Sequence, residues 1–195
     1  MKKTLFIAVL ASILFVQCAE EKDPFLIKNG EIGNLTNKNQ IRQVDSIFEL
    51  DSIVPLSATA NTLGTQGEVE IYEKGGKKLL LLSPEFYADP ESRINYIQVF
   101  DERFKTDKGL SLSSTFADIK DNYEITGIQN AINVVVVFLK DSDVYITIDK
   151  KELPENIRYN YNAKVEATQI PDGATFKYFM IGWDAEDEPE DKTEE

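Results

Sequence analysis

Apolar positions in this chain recur with two periods, and the changes of period mark its elements. Between Lys108 and Tyr123 a short alternating stretch gives way to Phe116, Ile119 and Tyr123, which share one helical face at i, i+3 and i+7. Thr115 stands where a cap is needed. Its hydroxyl can accept from the backbone N–H near Asp118, and the Asp118 carboxylate can reach back to the cap. The stretch from Asn29 to Phe48 echoes this one: Gly30 precedes Thr36 as Gly109 precedes Thr115, Asn39 sits at the matching cap position, and Ile41, Val44 and Phe48 follow. Either a duplicated unit or two helix starts converging on the same chemistry produces such an echo.

Elsewhere the short period dominates and predicts strands. Asp51 to Leu56 is a short one, and Val69–Tyr72 and Lys78–Ser83 flank Gly75-Gly76, the strongest hairpin signal in the chain. Pro84 ends the second of these, Glu85 to Arg93 reads as a loop or single helical turn, and Ile94 to Phe100 is a further strand. Ser57 to Gly67 is rich in loop formers. Past Tyr123 come strands over Glu124–Gln129, Ile132–Leu139 and Val144–Ile148, the last two joined by a turn at Asp141-Ser142-Asp143. Ile132–Leu139 contains four successive valines followed by Phe138 and Leu139, and so predicts a strand buried on both faces. The helix after Thr115 would cover one face, and an Asp at Val136 would unfold the chain. Arg158 to Val165 fits neither period, and Thr175 to Trp183 is a closing strand after the turn at Pro171-Asp172-Gly173.

The N-terminus changes the picture from a soluble chain to an exported one. Lys2 and Lys3 precede an apolar run from Leu5 to Val16, too short for a stable bilayer span and of the length of a secretory signal core. Cleavage after Ala19 by ordinary signal peptidase would put the bulky Gln17 at the third-last position. The run ends at Cys18, the single cysteine, and Phe15-Val16-Gln17-Cys18 resembles the lipobox of bacterial lipoprotein precursors. That resemblance implies lipidation of Cys18, with a lipid anchor in the outer membrane. Ala19-Glu20-Glu21-Lys22-Asp23 resembles the acidic export signal of surface lipoproteins of the Bacteroidota type. It reads equally as a solvated tether, so the cell surface and the periplasmic face both stay open.

Charge and composition then remove classes of function. With 34 acidic against 21 basic residues the net charge is −13, and loss of Lys2 and Lys3 with residues 1–17, which hold no acid, makes it −15. Such a chain repels nucleic acid. The absence of histidine and of a second cysteine excludes Ser-His-Asp and Cys-His nucleophiles, the usual zinc sites and a structural disulfide. No catalytic residue, metal site or cofactor is assigned. Asp141 and Asp143 are read as turn residues rather than calcium ligands. Eight of the last twelve residues are acidic, which predicts a disordered tail.

These observations divide the chain into a signal peptide (1–17), a lipidated tether (18–24), a first helix-plus-strands unit (25–103), a second (104–184) and the tail (185–195). The fold class is α+β: one or two helices packed on antiparallel sheet, with a helix-then-meander unit that occurs once or is repeated in tandem. In element order, and in Gly109, Thr115 and Asp118, this is similar to the tandem helix-on-sheet modules of the beta-lactamase-inhibitor-protein and small outer-membrane-lipoprotein type. The resemblance implies a non-enzymatic protein that binds other envelope proteins across its sheet. Strand parity assigns Val144, Ile146 and Ile148 to the helix side and Tyr145 to the other. Tyr145, with Trp183 on a neighbouring strand, is therefore the candidate binding site if that side is not covered by the first half of the chain. Tyr159 and Tyr161 are further aromatic candidates. The alternative is a carboxylate-based hydrolase acting on an envelope polymer or glycan, chemistry that needs no histidine.

Overall fold

Two helix starts, one in each half of the chain, are built from the same hydrogen bonds. The Thr115 N–H donates to Asp118 Oδ2 at 2.7 Å, and helix α2 (Phe116–Asn122) follows. The Gln40 N–H donates to Gln43 Oε1 at 2.9 Å, and a 3-10 turn leads into helix α1 (Val44–Ile47). The first N–H groups of a helix have no partner within it. Here both pairs are satisfied by a later loop of the same half. Ile41 and Arg42 donate to the carbonyls of Ser92 and Pro90 at 3.0 and 3.1 Å; Phe116 and Ala117 donate to those of Ala174 and Asp172 at 3.0 and 2.9 Å.

The structure is a computed structural model that describes residues 22–56, 67–87, 89–160 and 164–183. The signal segment, Cys18, Glu20 and Glu21, most of the loop 57–67, Tyr161 and the tail 185–195 lie outside the described residues.

After each helix start come four antiparallel strands. In the first half these are β4 (Ser52–Pro55), β5 (Val69–Tyr72), β6 (Lys78–Pro84) and β7 (Ile94–Val99). In the second they are β9 (Ile125–Asn130), β10 (Val134–Leu139), β11 (Val144–Asp149) and β12 (Tyr178–Gly182). The last strands of the two halves, β7 and β12, pair with each other, from Phe179 opposite Val99 to Gly182 opposite Tyr96. One eight-stranded antiparallel sheet results, in the order β4-β5-β6-β7-β12-β11-β10-β9. The fold is α+β, with short helices against antiparallel sheet and the helix-then-meander order present twice. Both expected hairpins form: Gly75 and Gly76 adopt φ of 125° and 90°, and Asp141 adopts 51°, conformations that favour glycine and tolerate aspartate.

The sequence pattern missed a second, smaller sheet. Strands β1 (Leu26–Lys28), β2 (Glu31–Ile32), β3 (Leu35–Thr36) and β8 (Lys105–Thr106) assemble in the order β3-β2-β1-β8. Residues expected to echo the Gly109–Thr115 approach thus form strands instead. Gln40, not Asn39, is the first cap, because Asn39 Oδ1 is already taken by the N–H and hydroxyl of Thr36 at 2.8 and 2.9 Å. The short helix α3 (Glu155–Arg158) ends where the unassigned segment Arg158 to Val165 begins.

The core lies on one face of the large sheet. A row of paired residues crosses all eight strands there: Ile53, Ile71, Leu80, Val99, Phe179, Ile146, Val137 and Ile128. Every member is apolar, and the inner six are buried. Phe116 and Ile119 of α2, Val44 of α1, and Ile27, Ile32 and Leu35 of the small sheet close over this row. Double burial of the valine run does not hold. Val135, Val137 and Leu139 are buried, whereas Val134 and Val136 are only half-buried and Phe138 is exposed. Val136 points away from the core, so the position where an Asp would unfold the chain is Val137.

The halves are tied at their junction by a buried carboxylate. Asp101, just beyond β7, is fully buried and accepts from Arg103 Nη2 at 2.6 Å and Arg103 Nε at 3.0 Å, with Lys77 Nζ at 3.2 Å. Burial by itself pushes this carboxyl up, but the Arg103 and Lys77 hydrogen bonds outweigh it and hold the group at about 2. Arg103 also reaches Glu73 at 2.8 Å, so the β5–β6 turn and the crossover between halves share one ion network.

Candidate functional site

The opposite face of the large sheet carries its own row across the same strands: Val54, Glu70, Leu81, Gln98, Met180, Tyr145, Phe138 and Gly127. None of these eight is buried. Strand alternation sends them away from the core, and no described helix or strand packs over them.

Toward the second half this face becomes aromatic, and a glycine explains how. Gly182 lies between Tyr145 on one side and Tyr96 on the other; a Cβ there would stand 3.2 Å from the Tyr145 ring and 3.6 Å from that of Tyr96. The missing side chain lets the Tyr145 ring close over the strand. At Gly127, opposite Phe138, a Cβ would meet the ring at an ordinary 4.0 Å. Phe138 and Tyr145 then stack, with ring centroids 5.9 Å apart and planes inclined by 30°. Phe138 remains 38% exposed and Tyr96 44% exposed, so the cluster is a surface and not a buried core.

These rings line a groove of about 590 Å³ together with Val136, Gln129, Asn37, Asp143 and Trp183. The two residues singled out from the sequence therefore line one cavity. β11 and β12 are paired, with Tyr145 opposite Met180. Their environments differ. Tyr145 lies on the open face, half-buried among its neighbours, and desolvation followed by the nearby Tyr96 phenol pushes its hydroxyl up to about 12. It stays a protonated donor at any physiological pH. Trp183 belongs to the core side, is 5% exposed, and only closes the end of the groove. Its indole N–H is buried with no acceptor among the described residues, although buried indoles ordinarily find one. Sequence reasoning missed Tyr96, whose strand belongs to the first half and meets Tyr145 only through the β7–β12 pairing.

Of the other candidates, Asp141 and Asp143 hold a turn. Asp143 Oδ2 accepts from the Gly30 N–H at 2.5 Å, and Asn29 Nδ2 donates to the Asp141 carbonyl at 2.7 Å, docking the small sheet onto the β10–β11 hairpin. Among the described residues no group of three or more acidic, histidine or cysteine side chains is placed to hold a metal ion, and no helix is long and apolar enough to cross a membrane. Tyr159 is exposed at the far end of the β10–β11 strands, and Tyr161 and Cys18 lie outside the described residues.

Fold and groove together define a class: an antiparallel sheet covered on one face by short helices and a small second sheet, with the other face open. No protein-family model and no curated protein matches the chain. Among solved structures it is similar to the uncharacterized protein yfeY from Escherichia coli, at 16% identity and a TM-score of 0.48, over 77% of this chain and 95% of that one.

Proposed function

We propose that this protein is a lipid-anchored, non-enzymatic binding module of the cell envelope, held to the outer membrane through Cys18, which grips a protein partner on the open face of its sheet. The observation that carries the reading is the groove formed by Tyr96, Phe138, Val136 and Tyr145. Rings fixed on paired strands give a large apolar contact at small entropic cost, and their hydroxyls supply orientation. Monomers rarely leave a contiguous apolar patch without a use. The single carboxylate among the described residues of the groove, Asp143, already serves the Gly30 N–H, which favours binding over hydrolysis by paired carboxylates. The reading needs no cofactor, metal or nucleic acid. The anchor rests on the basic start, the apolar run and the lone cysteine of the sequence.

Both parts are testable in cells. Tyr145→Glu should abolish recovery of a specific partner from detergent-solubilised membranes while the melting temperature hardly moves; undiminished recovery would remove the groove from the account. Cys18→Ala should abolish metabolic labelling with palmitate, and normal labelling of that variant would remove the anchor.

A further inference from the structure

The far end of the same strands carries a second cavity of different chemistry. Its volume is about 580 Å³, and it is lined by Lys150, Lys151, Arg158 and Lys177, with Asp149 the single acid among the described lining residues and Tyr159 at its mouth. Acids outnumber bases in the chain as a whole, 34 to 21. Here four cations face one carboxylate, so the cavity inverts the electrostatics of the surface around it. The four come from three places that folding brings together: the 3-10 turn after β11, the end of α3 and the residue before β12.

The lone acid is already engaged. Asp149 Oδ2 accepts from Lys177 Nζ at 3.1 Å and Oδ1 from the Lys151 N–H at 3.0 Å. It anchors two sides of the cavity and neutralises one charge, which leaves the exposed Lys151 side chain and the Arg158 guanidinium facing the opening without a carboxylate of their own among the described lining residues. Arg158 is fixed by Nη2, which donates to the carbonyls of Lys151 and Leu153 at 2.8 and 3.0 Å, while its buried Nε has no acceptor among the described residues. A guanidinium held in place by backbone carbonyls, with donor capacity to spare, is pre-organised for a planar or tetrahedral oxyanion. Tyr159 is 69% exposed beside these cations, an aromatic face free to stack on a ligand ring.

We propose that this cavity binds a sugar unit bearing phosphate, sulfate or carboxylate groups, with Lys151, Arg158 and Lys177 receiving the anion and Tyr159 stacking on the ring. An anionic lipid surface is the less favoured source of such a group. A phosphatidylglycerol head group offers no ring for Tyr159 to stack on.

The test compares binding of the purified full-length protein to dextran sulfate and to uncharged dextran of equal length. The account predicts binding of dextran sulfate alone, weakened progressively by added sodium chloride. Lys151→Gln combined with Lys177→Gln should weaken it by at least about tenfold, since each removes a charge-assisted contact, and Tyr159→Ala by a few-fold. Lys151→Gln alone, at an exposed side chain, should show part of the loss with an unchanged melting temperature. Equal affinity for both dextrans, or dextran sulfate affinity unaltered in the lysine variants, would overturn the site. So would binding to phosphatidylglycerol vesicles without binding to dextran sulfate. Because Tyr145→Glu leaves this cavity intact, the variant should bind dextran sulfate normally, which separates failure of this site from failure of the groove.

Discussion

The two faces of the large sheet are read by the same strands in the same register, yet they are built to opposite ends. On the core face the row from Ile53 to Ile128 is apolar at every strand and sealed by α1, α2 and the small sheet. On the open face the row from Val54 to Gly127 mixes aliphatic, aromatic, amide and acidic side chains, and Gly182 beside it yields space to the Tyr145 ring. The core row excludes water, and its substitution should be read in stability. On the binding proposal, substitution in the open row should be read in partner recovery.

Variants that exchange the two readouts would break this comparison. The largest effect expected is Val137→Asp, which places an unpaired carboxylate in the fully buried row and should cost more than about 4 kcal/mol, enough to unfold the chain. The same change one residue earlier, Val136→Asp, should leave a folded protein with a modest loss of melting temperature, because Val136 is half-buried on the open face. Circular dichroism of the pair decides the matter: two unfolded variants would mean that the open face is covered. Next in size, Ile146→Ala leaves a cavity in the core row and should cost about 2–5 kcal/mol by denaturant unfolding.

Acid offers a third test, because it loosens both faces together. Asp101 titrates at about 2 in the folded protein against 3.8 unperturbed, and a folded value below the unfolded one means stability that is present above about pH 4 and lost as pH falls toward 2. At about 1.4 kcal/mol per unit this amounts to about 2 kcal/mol. Asp101→Asn should remove that part of the acid dependence. A wild-type melting temperature flat between pH 5 and pH 2 would contradict the Asp101 network. The smallest stability effect belongs to Gly182→Ala, whose new Cβ must push back the Tyr145 ring at 3.2 Å; a loss below about 1 kcal/mol is expected, with a larger proportional loss of partner binding.

What could be read from the sequence, and what could not, follows the same division. The helix at Thr115 and the hairpins at Gly75-Gly76 and Asp141–Asp143 are local events, fixed by caps and by residues that accept positive φ. Tyr145 was assignable to the side opposite Val144, Ile146 and Ile148 by alternation alone. The valine run misled because valine favours strands on either face, so periodicity cannot report which face is sealed. The small sheet was hidden by strands of two and three residues, too short to show a period. Tyr96 joins the groove, and Lys150, Arg158 and Lys177 join one cavity, only through non-local pairing. Cavities assembled from several strands leave no spacing in the chain.

The central claim is that the open face, and not the helix-covered face, meets the partner. A photo-crosslinking amino acid at Phe138, on the rim of the groove, can be compared in intact cells with one at Asp121, exposed on α2 beyond the core face. The account predicts a discrete protein adduct from position 138, lost when Tyr145→Glu is added, and none from position 121. Adducts of the same size and yield from both positions, or from position 121 alone, would contradict it.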